Sequence, residues 1–240
     1  FLSGKLHGIP DPISHERSKG WNCYLPIPYA RHCKVTSDKD GFYYHVNYRT
    51  YPAGTKVVTF SSRDLDTLGG EIRGVAATLR DPRQAGLAEA EKLPVGYRRT
   101  TLFDDLELAP GATVSKPAPR RGPVALAGLT AEVKADQPLP ALRALVLGID
   151  FDGHPTVACP LGDFFGAGPG VTPYASLPLG IDADGTLWSN WVMPYRELAT
   201  VTVHNAGSKP VHVRVTVVDR PYTWTDQSMY FHAGWAVEHD

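Results

Sequence analysis

The sequence predicts an all-β protein: two jelly-roll β-sandwich units side by side (a double jelly roll), with one covering helix near residues 64–80. Three observations lead there. Short stretches of alternating apolar and polar residues recur along the chain, with the period of two that a half-buried strand requires. The 23 Gly and 21 Pro are spread out, which suits many short strands joined by turns. One arrangement also comes twice. Setting Pro194 and Tyr195 over Pro28 and Tyr29 brings WNCYLPIPYARHCKVTSDKDGFYYHVNYRTYP under LWSNWVMPYRELATVTVHNAGSKPVHVRVTVVDRPY. Both copies run aromatic strand, Pro-Tyr corner, alternating strand, polar Gly turn, alternating strand.

The units so defined are residues 1–122, with a helical insertion, and 123–240. Carried backwards, the offset sets Phe1 beside Phe165, so the first unit reads as incomplete at its N-terminus. The chain is therefore expected to be a piece of a longer protein.

Phe1 to Lys19 is rich in turn residues and reads as a surface loop. Trp21 to Tyr29 is a short aromatic strand, which Pro26 and Pro28 confine to an edge or corner. Arg31 to Ser37 and Phe42 to Tyr51 form a hairpin around Asp38-Lys39-Asp40-Gly41, with Tyr44, Val46 and Tyr48 on one face of the second strand. Gly54 to Phe60 continues as a strand. The period then changes, because Leu65, Leu68, Ile72, Val75, Ala76 and Leu79 recur at spacings of three and four. That is the helix. Ser61, Ser62 and Asp64 are its capping candidates and Pro82 ends it.

Arg83 to Arg99 is either a short second helix or a mobile insertion. Thr100 to Leu108 is a strand, Ala109 to Gly122 a Pro-rich linker, and Val124 to Ala135 alternates again. Leu142 to Phe151 is the most hydrophobic strand and turns at Asp152-Gly153 into Thr156 to Cys159. Leu187 to Met193, Leu198 to His204 and Val211 to Val218 complete the second unit.

A net charge of −1 leaves no electrostatic footprint for a polyanion, so no nucleic-acid partner is expected. No apolar run approaches the roughly 20 residues that span a bilayer, and no membrane partner is expected. Cys23, Cys33 and Cys159 form no CxxC and read as buried free thiols, which slightly favours a cytoplasmic setting. The histidines show no HxH or HExxH spacing, so neither a metal nor a cofactor is expected.

In PLGDFFGAGPG a phosphate cradle would need GK[ST] and a βαβ setting, and both are missing. The favoured reading has Phe164 and Phe165 plugging the core while Asp163 caps a short helical turn. A direct role for Asp163 in a site stays open. Aromatic density points further, because four of the five Trp residues fall between Trp188 and Trp235. Sugar rings offer apolar C–H faces and hydroxyls, which flat aromatics and carboxylates match. Trp191, Tyr195, Trp235, His232 and Asp163 are the substrate-binding candidates, and carbohydrate is the expected ligand. Core packing could also demand these rings. A glycosidase needs two carboxyl groups roughly 5–9 Å apart. Asp163, Glu197, Asp226 and Glu238 lie near aromatics, but no spacing pairs any two of them, so no catalytic residue is assigned.

YLPIPYARHCKV, FYYHVNYRTYPAGTKVVTF, FDGHPTVACPLGDFFGAG, WVMPY and MYFHAGW, in this order, resemble glycoside hydrolase family 172, once grouped as domain of unknown function 2961. The resemblance covers nearly the whole chain. It implies a double jelly roll assembling as a homo-oligomer, a trimer or hexamer. It also implies retaining, exo-acting cleavage of furanosides such as α-fructofuranosides, difructose anhydrides or arabinofuranosides. In that family the nucleophile and acid/base are glutamates in WWGEGDEK-like and GTGTEDYFG-like segments after the FHAxW strand. Neither segment occurs in this sequence, so no catalytic residue carries over and the 240 residues alone are expected to be inactive. The alternative is a noncatalytic jelly-roll protein, either carbohydrate-binding or a capsid-like assembly subunit.

Overall fold

The computed structural model describes residues 8–83, 86, 92–167 and 170–236. The chain divides into two compact units, Phe1–Arg80 and Asp81–Asp240. The boundary falls after Arg80 rather than at residue 122, because the expected strand of residues 100–108 and part of the expected linker of 109–122 pair with strands of the second unit.

The first unit opens with an antiparallel hairpin, β1 (Ser14–Arg17) and β2 (Gly20–Cys23). Ser18 and Lys19, both with positive φ, form its two-residue turn, and such primed turns match the twist of the flanking strands. The expected helix is two helices, α1 (Ser62–Thr67) and α2 (Gly69–Arg80), parted at Leu68. Ser61 caps α1 as the sequence suggested. Its hydroxyl accepts the Arg63 N–H at 3.3 Å, and its own N–H reaches the Asp64 carboxylate at 2.8 Å. The apolar stripe closes a small core of its own unit, with Ile9, Ile13 and Ala76 buried among Leu25, Leu65, Ile72 and Leu79.

Between these elements the chain makes a long excursion. It leaves and returns side by side, with the Phe60 N–H on the Pro28 carbonyl at 2.8 Å and the Ala30 N–H on the Thr59 hydroxyl at 3.1 Å. The expected hairpin of residues 31–37 and 42–51 and the strand of 54–60 do not form. Phe42, Tyr43, Tyr44, Val46, Tyr48 and Tyr51 are all exposed. Alternation gives a strand two faces, yet a strand also needs a neighbour to accept its N–H groups and cover its apolar side. Among the described residues this segment has none. Cys33, read as a buried thiol, is exposed within it.

The second unit is a β-sandwich with mostly antiparallel strands. One sheet runs β3 (Arg98–Leu108), β13 (Val211–Pro221), β5 (Val124–Lys134), β10 (Leu187–Ser189), β9 (Leu179–Ile181), β8 (Tyr174–Ala175), and β11 (Met193–Tyr195) also pairs with β5. The other runs β14 (Ala233–Gly234), β7 (His154–Pro160), β6 (Leu145–Phe151), β12 (Ala199–Asn205), β4 (Thr113–Pro117), with β14 parallel to β7. Strict alternation in β6 and β12 sends Leu145, Leu147, Ile149, Phe151, Ala199, Val201 and Val203 into the core. They face Leu126, Leu129, Val213, Val215 and Val217 of the first sheet, an arrangement typical of sandwiches.

The mostly β sandwich fold is the one the sequence predicts, and the second unit adds three local revisions to those of the first. The Pro-rich linker of 109–122 contains strand β4. The apolar run at Leu142 begins as a helix, α3 (Pro138–Ala144), with Pro138 and Pro140 in its first turn, and becomes strand only at Leu145. The expected strand of 187–193 is broken into β10 and β11. Of the Arg83–Arg99 insertion, residues 84, 85 and 87–91 lie outside the described residues, as does Glu238.

Candidate functional site

After β7 the chain turns at once into α4 (Leu161–Phe164), where Phe164 and Phe165 enter the core as expected. The turn that follows needs Gly166. Its φ is +75°, and a Cβ there would lie 2.3 Å from the Tyr174 hydroxyl, which donates to the Phe165 carbonyl. Asp163 does not cap this turn. Pro160 occupies the cap position, and the Asp163 carboxylate instead accepts Arg143 Nη1 at 2.5 and 2.7 Å.

A cleft of about 340 Å³ opens here, lined by Cys159, Asp163, Phe164, Trp191, Phe231, His232, Ala233 and Gly234. Trp191, 41% exposed, sits in the break between β10 and β11, its N–H held by the Ser189 hydroxyl at 3.3 Å. The Trp191 and Phe231 rings are 5.7 Å apart, and Phe164 meets Phe231 edge-on at 6.2 Å. Phe231 is fixed from behind, where the Thr156 hydroxyl donates to its carbonyl at 2.6 Å. Trp235, just beyond β14, lies under the Arg143 guanidinium at 5.8 Å.

Four of the five sequence candidates therefore gather around one cleft. Asp163, Trp191 and His232 line it, and Trp235 joins through Arg143. Tyr195 does not. It is fully buried, its hydroxyl donates to the Arg120 carbonyl at 2.9 Å and its ring stacks on Phe151, so no ligand reaches it. Burial drives its phenol pKa up, and the nearby Asp219 carboxylate adds to the rise. The Pro-Tyr corner is a core device.

The cleft combines aromatic walls with a hydrogen-bond acceptor side chain, the Asp163 carboxylate. Flat aromatic walls suit C–H faces, and Asp163 accepts hydrogen bonds from hydroxyls. Cys159 lies at its floor with its thiol pKa pushed up to about 11, by burial first and the Asp163 charge second, so at neutral pH it is a protonated wall atom rather than a nucleophile. Among the described residues no group of three His, Cys, Asp or Glu side chains is placed to hold a metal. Among the described residues Asp163 is the one carboxylate lining the cleft, whereas Glu197 and Asp226 lie exposed outside it.

Two side chains that brace the residues around the cleft escaped the sequence reading. Arg143 was hidden because its segment scans as a strand, although a basic residue closing a Pro-initiated turn is a helix signal. Asp152 read only as a turn residue. With φ +57° its carboxylate collects the N–H groups of Arg196, Glu197 and Leu198 at 2.7–2.8 Å and the Tyr230 hydroxyl at 3.0 Å. Burial acts to raise its pKa, but the bonds from Leu198, Arg196, Glu197 and Tyr230 outweigh it and the net shift is downward. This clamp anchors the residue next to Phe231, and so one wall of the cleft.

Residues 1–68 match the family model of the GH172 first beta-sandwich domain, and residues 99–217 match that of the GH172 domain-like region. The chain belongs to glycoside hydrolase family 172. The two matches leave the cleft's Phe231 and His232 outside, while Cys159, Asp163 and Trp191 fall within the second. No curated protein matches the chain.

Proposed function

We propose that the chain provides a sugar-binding cleft of a furanoside-acting glycoside hydrolase, with the nucleophile and acid/base carboxylates coming from residues outside this cleft. The carrying observation is the meeting of Trp191, Phe231, His232 and Asp163 on one cleft in a member of a glycoside hydrolase family. Furanosides of the α-fructofuranoside, difructose anhydride or arabinofuranoside type are the substrates the family resemblance favours. Retaining cleavage needs a second carboxyl group about 5–5.5 Å from the first. Among the described residues Asp163 has no such neighbour in the cleft lining, and it is paired with Arg143. The same observation favours a second reading, binding without turnover. Assembly as a trimer or a multiple of trimers belongs to this proposal, and sedimentation tests it.

Trp191→Ala is the direct test. Calorimetric titration with a difructose anhydride and an arabinofuranosyl oligosaccharide should show affinity falling about tenfold or more, the equivalent of about 1.4 kcal/mol. The melting temperature should fall only modestly, since Trp191 is 41% exposed and its ring contact is with Phe231. Unchanged affinity for a sugar that the parent binds removes Trp191 as a platform. A parent that binds neither sugar defeats the reading altogether.

A further inference from the structure

Arg143 links a cleft-lining residue, Asp163, to Trp235 beside the cleft, and the three are far apart in sequence. It sits in the last turn of α3, where Ala141 and Leu142 are buried and fix the helix against its surroundings. From there Nη1 donates to both oxygens of Asp163 on α4, at 2.5 and 2.7 Å. The guanidinium carbon also lies 5.8 Å from the centre of the Trp235 ring, within the range at which a cation is attracted to an aromatic face. A guanidinium can do both because it is planar, donating in its plane while an aromatic ring lies against its face. An ammonium can also donate to a carboxylate or sit over a ring, but as a point charge it lacks the planar arrangement that lets one group hold both partners at once.

The effect on each partner follows from elementary counting. A carboxylate offers about four lone-pair sites, and the two bonds from Arg143 leave about two. Asp163 lines the cleft with its side chain 21% exposed, so those sites are available to a ligand with two adjacent hydroxyl donors. Trp235 is 49% exposed and follows a strand of only two residues, so the backbone ladder does little to orient its ring.

We propose that Arg143 is the positioning residue of this cleft: its single guanidinium holds Asp163 as an acceptor for a vicinal hydroxyl pair and Trp235 as a flat surface at the cleft's edge, setting the cleft for a neutral sugar ring. The sugar part rests on the functional reading above, whereas the hold on Trp235 does not.

The test uses Arg143→Lys and Arg143→Ala, each made in the parent and in Trp235→Phe so that the Trp235 signal is obtained by difference. Without ligand, acrylamide quenching of Trp235 should rise about twofold in both variants, since a ring 49% exposed can at most about double its accessible surface. With a difructose anhydride or an arabinofuranosyl oligosaccharide, Kd should weaken about tenfold in both variants, about 1.4 kcal/mol. Arg143→Lys matters most because it keeps the charge and most of the stem. A lysine variant that matches the parent in quenching overturns the positioning role, whatever the sugar data say. Raised quenching with unchanged Kd overturns the link to the sugar. A parent that binds neither probe overturns the sugar reading and the sugar part of this proposal, while the quenching still decides whether Arg143 holds Trp235.

Discussion

The two copies of one sequence pattern end differently. In the second unit the strands after Pro194-Tyr195 become β12 and β13, each with neighbours on both sides and alternate residues sealed in the core. In the first, the matching stretch after Pro28-Tyr29 runs unpaired, with Tyr43, Tyr44 and Tyr48 among the most exposed large side chains. The local signals are equally good. The difference lies in partners: β12 has β6 and β4 to pair with, and the 42–51 stretch has no strand beside it among the described residues. Alternation therefore specifies that a segment can be a strand and which residues share a face, while pairing is a property of the rest of the molecule.

The largest expected break comes in the second unit. Phe151 is fully buried at the end of β6 and packs against both Tyr195 and Tyr230. Phe151→Ala should cost about 3–5 kcal/mol, through lost burial and the cavity left behind. Denaturant unfolding followed by tryptophan fluorescence reads this as a lower midpoint. A loss below about 1 kcal/mol would mean that the sandwich collapses into the gap far more readily than a packed core does.

A smaller effect is expected at Asp152, where the same unit supports the cleft. Asn at this position keeps the shape but can accept through one oxygen only, so some of the three N–H groups and the Tyr230 hydroxyl lose their acceptor. The expected cost is about 1–3 kcal/mol at neutral pH. Because the pKa of Asp152 is lowered in the folded protein, its contribution is fully present above the ordinary Asp value of 3.8 and is lost as pH falls through the lower folded value. Below that range the parent and Asp152→Asn should converge in stability. A gap that stays constant from neutral pH into acid would show that the carboxylate charge plays no part in the clamp.

The sandwich was legible because its strands alternate cleanly and its turns carry glycine or aspartate where positive φ is needed, as at Asp152 and Gly153. The cleft was half legible. Trp191, His232, Asp163 and Trp235 were visible as polar-aromatic residues in apolar surroundings, and the fold brings them together. Tyr195 carries the same signature yet is core, since sequence cannot tell a ring that faces a cleft from one that faces a sheet. Arg143 and Asp152 act through partners 20 and 44 or more residues away, and no local pattern encodes such distances. Helix α3 was missed because a seven-residue apolar turn running directly into a strand has too few residues for its period to emerge.

The smallest effect is the one that most sharpens the contrast between the units. Tyr44 is 81% exposed, and its ring meets only Phe42, at 6.0 Å, among the ring contacts of the described residues. A side chain so placed buries little on folding, and exposed substitutions of this kind fall within about 0.5 kcal/mol. Tyr44→Ser should therefore leave the melting curve where it is, and hydrogen exchange of residues 42–51 should be fast beside that of β5, β12 and β13. The alternation of Tyr44, Val46 and Tyr48 argues the other way, since a paired strand with that face inward would bury Tyr44. A loss above about 1 kcal/mol together with slow exchange would mean that the segment finds a β partner in solution, and that the first unit completes its sandwich there. Unchanged stability with fast exchange would mean that three well-patterned apolar positions are not enough to make a strand without a neighbour.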